Sequence, residues 1–242
     1  MTQSLQLAIV DGARQDDLQR HPLGIDGLDA LLEGGLPSGN AVLVQGAPGT
    51  GKTLLGMQFL WEGVCRWNEP GLLVLFEEQP WRVYRDARAL GWDFERLERE
   101  RKLFFVFTSP SVFLKELQSD FYSDMAREHG LRRIVVDSLT QFECLPSVED
   151  LRIRYQRVVN GLRRDDLSLM LIREAETREA KLRVGPEEYI ADTIIQLEYR
   201  LVGDRRMRSL EVLKHRGSAH SSLMHPFAIG PGGLRILPKA EA

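Results

Sequence analysis

The segment AVLVQGAPGTGKT (residues 41–53) joins a short apolar run to a helical pattern through a glycine-rich turn. Its last eight residues (46–53) match the pattern GxxxxGK[ST] at every fixed position, directly after a predicted strand and at the start of a predicted helix. Such a turn points its backbone amides inward, and the helix start adds the positive end of its dipole. These features indicate a loop that binds the phosphates of a nucleotide.

Each residue type in this loop has an expected part. Gly46, Gly49 and Gly51 let the backbone wrap around phosphate oxygens. Lys52 is predicted to bridge the β- and γ-phosphates, and the hydroxyl of Thr53 is predicted to bind Mg²⁺. The alternative is a glycine-rich turn that binds nothing, which the flanking strand and helix patterns disfavour.

A carboxylate follows a later apolar run, RIVV (133–136), at Asp137. In a parallel sheet, ligands bind at the carboxyl ends of the strands, so a second group on the metal side is expected there. Asp137 is therefore predicted to hold Mg²⁺ through water. The alternative is that it caps the segment that follows.

Two further carboxylates, Glu77 and Glu78, end the apolar run of residues 71–76. Adjacent residues of an extended chain point to opposite sides, so only one of the pair can face the γ-phosphate directly. A glutamate in that position can align and deprotonate the attacking water. Glu78 is the slightly preferred base, although the sequence does not separate the two. A solvated acidic strand end is the alternative.

Short apolar runs alternate with helical patterns through most of the chain. The runs are residues 41–45, 71–76, 103–107, 133–136 and 169–172, and the helical patterns include 52–67, 112–128 and the face formed by Leu151, Tyr155, Val158 and Leu162. Continuous apolar runs are typical of strands buried on both faces of a parallel sheet. After residue 185, closely spaced strand patterns predict an antiparallel extension. We predict an α/β fold with a mostly parallel central sheet, in one domain (21–242) after a polar N-terminal arm (1–20).

Composition restricts the class of protein. The formal net charge of −3 over 242 residues argues against a protein that coats nucleic acid. Cys65 and Cys144 lack the spacing of metal ligands and are expected to be free thiols in a reducing compartment. The N-terminal residues do not follow the pattern of a secretory signal, and no apolar run approaches the roughly 20 residues that span a bilayer. We expect a cytoplasmic protein that does not enter membranes.

Several stretches together resemble the RecA-superfamily ATPase domain of the circadian-clock protein KaiC and its relatives. They are residues 27–53, LFEEQP (75–80), residues 89–106, RIVVDSLT (133–140), residues 185–198 and KHRGSAH (214–220). The resemblance extends over about residues 21–237. It implies a RecA-like P-loop NTPase fold, ATP with Mg²⁺, slow hydrolysis, and a hexameric ring of identical chains with nucleotide held between subunits.

The resemblance also implies roles for individual residues. Those expected to contact the phosphates are Thr50, Gly51, Lys52, Thr53 and Leu54, and those matching the catalytic glutamates are Glu77 and Glu78. The residues expected to reach the neighbouring subunit's ATP are Lys214, His215, Arg216, Ser218 and His220. Lys214 and Arg216 alternate with His215, which predicts that both cations project to the same side of an extended backbone.

The sequence departs from the family in three places. The clock protein has two such domains in tandem, whereas this chain has room for one. Glu188-Tyr189 stands where the second domain of the clock protein carries a phosphorylated Ser-Thr pair, so we expect no phosphate transfer to the protein itself. Ala89 stands where the family can have a serine near the base, which is expected to loosen adenine selectivity.

Three other functions compete with a signalling ATPase that acts on a protein partner. They are a DNA-binding recombinase, an autokinase, and a nucleotide-gated scaffold without hydrolysis, the last disfavoured by the two glutamates. A DNA-binding loop should be basic, but residues 173–188 hold four basic against five acidic side chains. The arginines of residues 150–164 could form a basic stripe, although a solvated face paired with nearby acids is favoured. We therefore expect no nucleic acid partner.

Overall fold

The computed structural model describes residues 19–145, 150–163, 167–175 and 190–238. The strands are β1 (Arg20–His21), β2 (Leu36–Pro37), β3 (Ala41–Gly46), β4 (Gly71–Leu75), β5 (Leu103–Phe107), β6 (Arg133–Asp137), β7 (Ser168–Glu174), β8 (Thr193–Val202), β9 (Arg205–His215), β10 (His225–Gly230) and β11 (Gly233–Ile236). The helices are α1 (Leu28–Leu31), α2 (Lys52–Trp67), α3 (Pro80–Ala89), α4 (Phe94–Arg99), α5 (Pro110–Glu116), α6 (Phe121–His129) and α7 (Leu151–Leu162), with a 3-10 turn at Leu139–Phe142.

Within the described ranges, nine strands form one sheet in the order β11-β10-β9-β8-β3-β7-β6-β4-β5. The six strands from β8 to β5 are parallel to their neighbours, and β9, β10 and β11 add to them in antiparallel fashion. The prediction of a mostly parallel α/β sheet with an antiparallel extension is confirmed. One detail differs, because β8 was expected in the extension but pairs parallel to β3.

The central strands are buried on both faces, as their continuous apolar runs predict. In β3, Val42 and Val44 face one apolar cluster, which includes Leu55 and Phe59 of α2. Leu43 faces a second cluster on the opposite side, which includes Tyr155 and Val158 of α7. The sheet therefore separates two hydrophobic cores, with α2 and α7 on opposite faces.

The helical pattern of residues 112–128 forms two helices rather than one. α5 ends at Glu116 and α6 begins at Phe121. Between them, the Ser119 hydroxyl donates to the Glu116 carbonyl at 2.8 Å and accepts from the Phe121 amide at 3.2 Å. A serine that bonds the local backbone in this way competes with the hydrogen bonds of a continuous helix.

Arg133 anchors the start of β6, the strand that ends at Asp137. Its side chain is about 1% exposed and pairs with Glu69 at 2.6 Å. The guanidinium also donates to the carbonyls of Pro22, Leu23 and Phe59. Because a buried charge is costly unless it is paired and hydrogen-bonded, these partners hold β6 against α2 and the N-terminal segment.

The short strand β1 pairs with β2 through Arg20 and Pro37 before the central sheet begins. Residues 1–18 of the predicted arm lie outside the described residues, and the domain boundary stays a prediction. Cys65 and Cys144 are exposed free thiols. No helix among the described residues is long and apolar enough to cross a membrane.

Candidate nucleotide-binding site

A cavity of about 600 Å³ opens at the carboxyl ends of the parallel strands. This volume lies within the range of small-molecule sites, which is about 300–1,000 Å³. It is lined by the glycine-rich loop after β3, by the glutamate pair after β4 and by the last residue of β6. The topology thus brings together residues that the sequence places nearly a hundred positions apart.

The loop between β3 and α2 needs glycine for two different reasons. At Gly46 a side chain would collide with the Leu197 carbonyl, because an added Cβ would lie 2.4 Å from that oxygen. Gly49 and Gly51 have φ angles of 78° and 110°, which side chains rarely adopt. Thr50 is fully buried, and its hydroxyl donates to the Ala47 carbonyl at 2.9 Å.

Lys52 lies at the start of α2 with its ammonium inside the loop. It is 7% exposed, and its Nζ donates to the Ala47 carbonyl at 3.0 Å. Burial lowers the pKa of Lys52, and the carboxylates of Glu174 and Asp137 act in the opposite direction. The cation is therefore held where a phosphate chain threaded through the loop would meet it.

Thr53 and Asp137 form the metal side of the cavity. The Thr53 hydroxyl donates to Oδ2 of Asp137 at 2.7 Å. The pKa of Asp137 is raised to about 6. Burial is the largest cause and the charge of Glu78 adds to it, whereas the hydrogen bond from Thr53 lowers the pKa. A hydroxyl beside a half-buried carboxylate is an all-oxygen donor set, which fits Mg²⁺ with its retained water ligands.

The glutamate pair follows β4, whose last residue Leu75 pairs with Asp137 in the neighbouring strand. Both Glu77 and Glu78 line the cavity, with Glu77 exposed and Glu78 half-buried. Of the two glutamates, Glu78 is the one whose charge acts on the pKa of Asp137, together with the charges of Lys52 and Glu174. This places Glu78 nearer the metal side and supports its choice as the base, which stays a prediction.

Arg208 in β9 and Glu174 at the end of β7 also line the cavity, and the sequence analysis missed both. Arg208 donates to the Gly49 carbonyl at 3.5 Å and stacks over the Tyr199 ring at 4.1 Å. Its Nε is buried without a hydrogen-bond partner among the described residues, which leaves a donor for an anion. For Glu174, the rule that ligands bind at the carboxyl ends of parallel strands would have identified it.

The segment KHRGSAH (214–220) is held by the residues that lead into β8. Lys214 Nζ donates to the Ala191 carbonyl at 2.6 Å, and an Arg216 nitrogen lies 3.6 Å from Oδ1 of Asp192. His215 is buried, with Nδ1 2.9 Å from the Thr193 hydroxyl. Each cation is therefore held by a residue just before β8, and the ring between them is buried. That both cations project to the same side of the backbone stays a prediction.

None of the five predicted residues in this segment lines the cavity. β9 runs antiparallel to β8, so Arg208 lies at the carboxyl edge of the parallel strands and His215 lies at their amino edge. At about 3.4 Å per strand residue, Arg216 is roughly 27 Å along the chain from Arg208. The structure thus keeps this segment away from the phosphate loop of its own chain.

Ser218 and His220 have contacts within the chain. The Ser218 hydroxyl accepts from Arg20 at 2.5 Å and donates to Glu33 at 2.6 Å. The His220 ring lies 6.4 Å from that of His215. These contacts join the segment to Arg20 of β1 and to Glu33 in the turn after α1. Neither residue lines the cavity.

The arginines of α7 were expected to lie on a solvated face, with a basic stripe as the alternative. The expectation is wrong for Arg154, which is buried and donates to the Phe142 carbonyl. Arg163 is exposed and pairs with Asp192. Burial of Arg154 removes one cation from the surface that a nucleic acid would contact. Most of the candidate loop (residues 176–188) and the pair Glu188-Tyr189 lie outside the described residues.

Comparison with known proteins agrees with this geometry. The family model described as "ATPase: KaiC" matches residues 21–241. A circadian clock oscillator protein KaiC from Picosynechococcus sp. is 36% identical over 88% of this chain and 43% of its own length. The crystal structure of a KaiC-like protein from Pyrococcus horikoshii has a TM-score of 0.80 and 31% identity, over 91% of this chain and all of that one.

The chain belongs to the KaiC ATPase family. A KaiC from Parasynechococcus marenigrum, 31% identical, matches 97% of this chain with 48% of its own length. The chain thus spans slightly less than half of the curated relatives it matches. With a RecA-like fold and a phosphate loop in its cavity, it has the architecture of the KaiC-type P-loop ATPases.

Proposed function

We propose that this KaiC-family chain binds ATP with Mg²⁺ and hydrolyses it slowly, as a ring of identical subunits in the cytoplasm. The nucleotide lies at the border between two subunits, and the ring signals its nucleotide state to a protein partner. The observation that carries the proposal is the convergence of Lys52, the Thr53–Asp137 pair and the two glutamates on one cavity.

Each group has a step in this proposal. The loop amides and Lys52 bind the phosphate chain. Thr53 directly, and Asp137 through water, would hold Mg²⁺, which neutralises charge that develops on the phosphoryl oxygens. Glu78, or Glu77, orients the attacking water and accepts its proton. Arg208 adds a fixed positive charge from the same chain beside Gly49.

The position of residues 214–220 supports a shared site. Lys214 and Arg216 cannot act on the nucleotide of their own chain, because β9 carries them to the opposite edge of the sheet. A second copy that packs this edge against the first chain's cavity would bring its cations to the γ-phosphate. A ring repeats such a head-to-tail contact until it closes.

Replacing Lys52 by alanine is expected to weaken ATP binding roughly tenfold to a hundredfold, the usual worth of a charge-assisted hydrogen bond to a phosphate. Titration calorimetry with a slowly hydrolysed ATP analogue and Mg²⁺ measures the affinity. Lys102→Ala is the matched control, because the Lys102 side chain is 40% exposed and lies outside the cavity. Equal affinities for the parent and Lys52→Ala would overturn the assignment of the phosphate site.

Solution mass tests the ring. With ATP and Mg²⁺, light scattering is expected to give about six times the chain mass of 27.6 kDa, and a smaller species without nucleotide. Nucleotide that bridges two subunits binds the assembly better than the single chain, so it shifts the equilibrium toward the ring. A monomer in saturating ATP would contradict the shared site and leave the nucleotide cavity itself untouched.

A further inference from the structure

The lining of the cavity extends beyond the phosphate loop. Leu54 and Met57 of α2 and Ile229 of β10 add apolar side chains to it. Ala89 and Leu90, at the end of α3, line the same cavity. A nucleotide whose phosphates bind at the start of α2 would place its planar base against this apolar part of the lining.

The wall formed by α3 contains one polar side chain. Asp86 lines the cavity together with Ala89 and Leu90, which follow it at the i+3 and i+4 positions of the helix face. Ala89 contributes a methyl group and no hydrogen-bond donor or acceptor from its side chain. The side chains at the end of α3 that line the cavity therefore offer a base edge one acceptor group and no donor.

The carboxylate of Asp86 has lone pairs to spare. Its Oδ1 accepts from Nε of Arg85 at 2.8 Å, and its side chain is 48% exposed. A carboxylate offers about four lone-pair sites on two oxygens. One neighbouring donor leaves both the second oxygen and the outer lone pair of the first for a ligand.

We propose that Asp86 reads the nucleotide base, and that this site takes guanine nucleotides at least as tightly as adenine nucleotides. The inference rests on the proposed nucleotide site. Guanine presents two adjacent donors, N1–H and the 2-amino group, which match the two oxygens of one carboxylate. Adenine presents one amino donor beside the N1 lone pair, which would face a carboxylate oxygen. A charged acceptor strengthens the difference.

Equilibrium competition against a fluorescent nucleotide tests the proposal with the diphosphates of guanosine, adenosine, inosine and xanthosine, each with Mg²⁺. In the parent, GDP is expected to bind at least as tightly as ADP. Inosine lacks the 2-amino group, so IDP should bind about tenfold more weakly than GDP. Asp86→Asn should weaken GDP about tenfold and strengthen XDP, because the amide can donate to the 2-oxo group of xanthine.

Asp124→Asn is the matched control, since Asp124 lies on α6 outside the cavity. If ADP binds the parent more tightly than GDP, the proposal is wrong. It is also wrong if Asp86→Asn weakens all four nucleotides equally, because the carboxylate would then act on the ribose or on the position of α3. Binding that depends on Lys52 but ignores Asp86 would overturn this inference alone. Binding that ignores Lys52 would overturn the nucleotide site itself.

Discussion

The double variant Glu77→Gln with Glu78→Gln is expected to lose ATP hydrolysis by about 10²- to 10⁴-fold, the usual contribution of a general base. Its affinity for ATP should stay close to that of the parent. Glutamine keeps the size and hydrogen bonds of glutamate but cannot take a proton from water. Phosphate release measures the rate, and calorimetry with an ATP analogue measures the affinity.

The single variants distinguish the two glutamates. Glu78 is half-buried and its charge acts on Asp137, so Glu78→Gln should account for most of the loss. The matched control is Glu100→Gln with Glu128→Gln, two exposed carboxylates outside the cavity. If the variant with both Glu77→Gln and Glu78→Gln hydrolyses ATP at the parent rate, the general base is a different residue.

Much of this site was predictable because the carboxyl ends of parallel strands meet at one edge. Thr53, Glu77 and Asp137 each follow or adjoin a strand with a continuous apolar run, so a parallel sheet alone brings them together. The helices α2 and α7 could also be predicted from the sequence, because their apolar residues repeat with helical spacing over three turns or more.

The remaining features depend on information that local patterns do not contain. Arg208 reaches the cavity only because β9 pairs antiparallel with β8 in one register, which a single sequence does not specify. The same register sends Arg216 to the far edge of the sheet. The break between α5 and α6 depends on hydrogen bonds of Ser119, a residue whose type is equally compatible with an exposed helical position.

Arg216→Ala is expected to reduce ATP hydrolysis on the order of 10³-fold, the usual effect of removing an arginine that meets charge developing on the transferred phosphoryl group. In the structure this side chain is 69% exposed and anchored only loosely to Asp192, at 3.6 Å. It is therefore available to a neighbouring chain. Arg127→Ala, which removes an exposed arginine of α6, should leave the rate unchanged.

Mixing the variants separates action in trans from a structural role. Arg216→Ala subunits keep their glutamates, and subunits of the double glutamine variant keep Arg216. In a random 1:1 ring, roughly a quarter of borders pair an intact base with an intact arginine, so part of the activity should return.

Arg208 provides the opposite case, because it lines the same cavity as the glutamates of its own chain. A mixture of Arg208→Ala subunits with the double glutamine variant should stay inactive, since every border then lacks one group or the other. We propose that Arg208 acts on the nucleotide of its own chain and Arg216 on that of a neighbouring chain. Recovery of activity in the second mixture, or normal hydrolysis by the Arg216→Ala protein alone, would contradict this assignment.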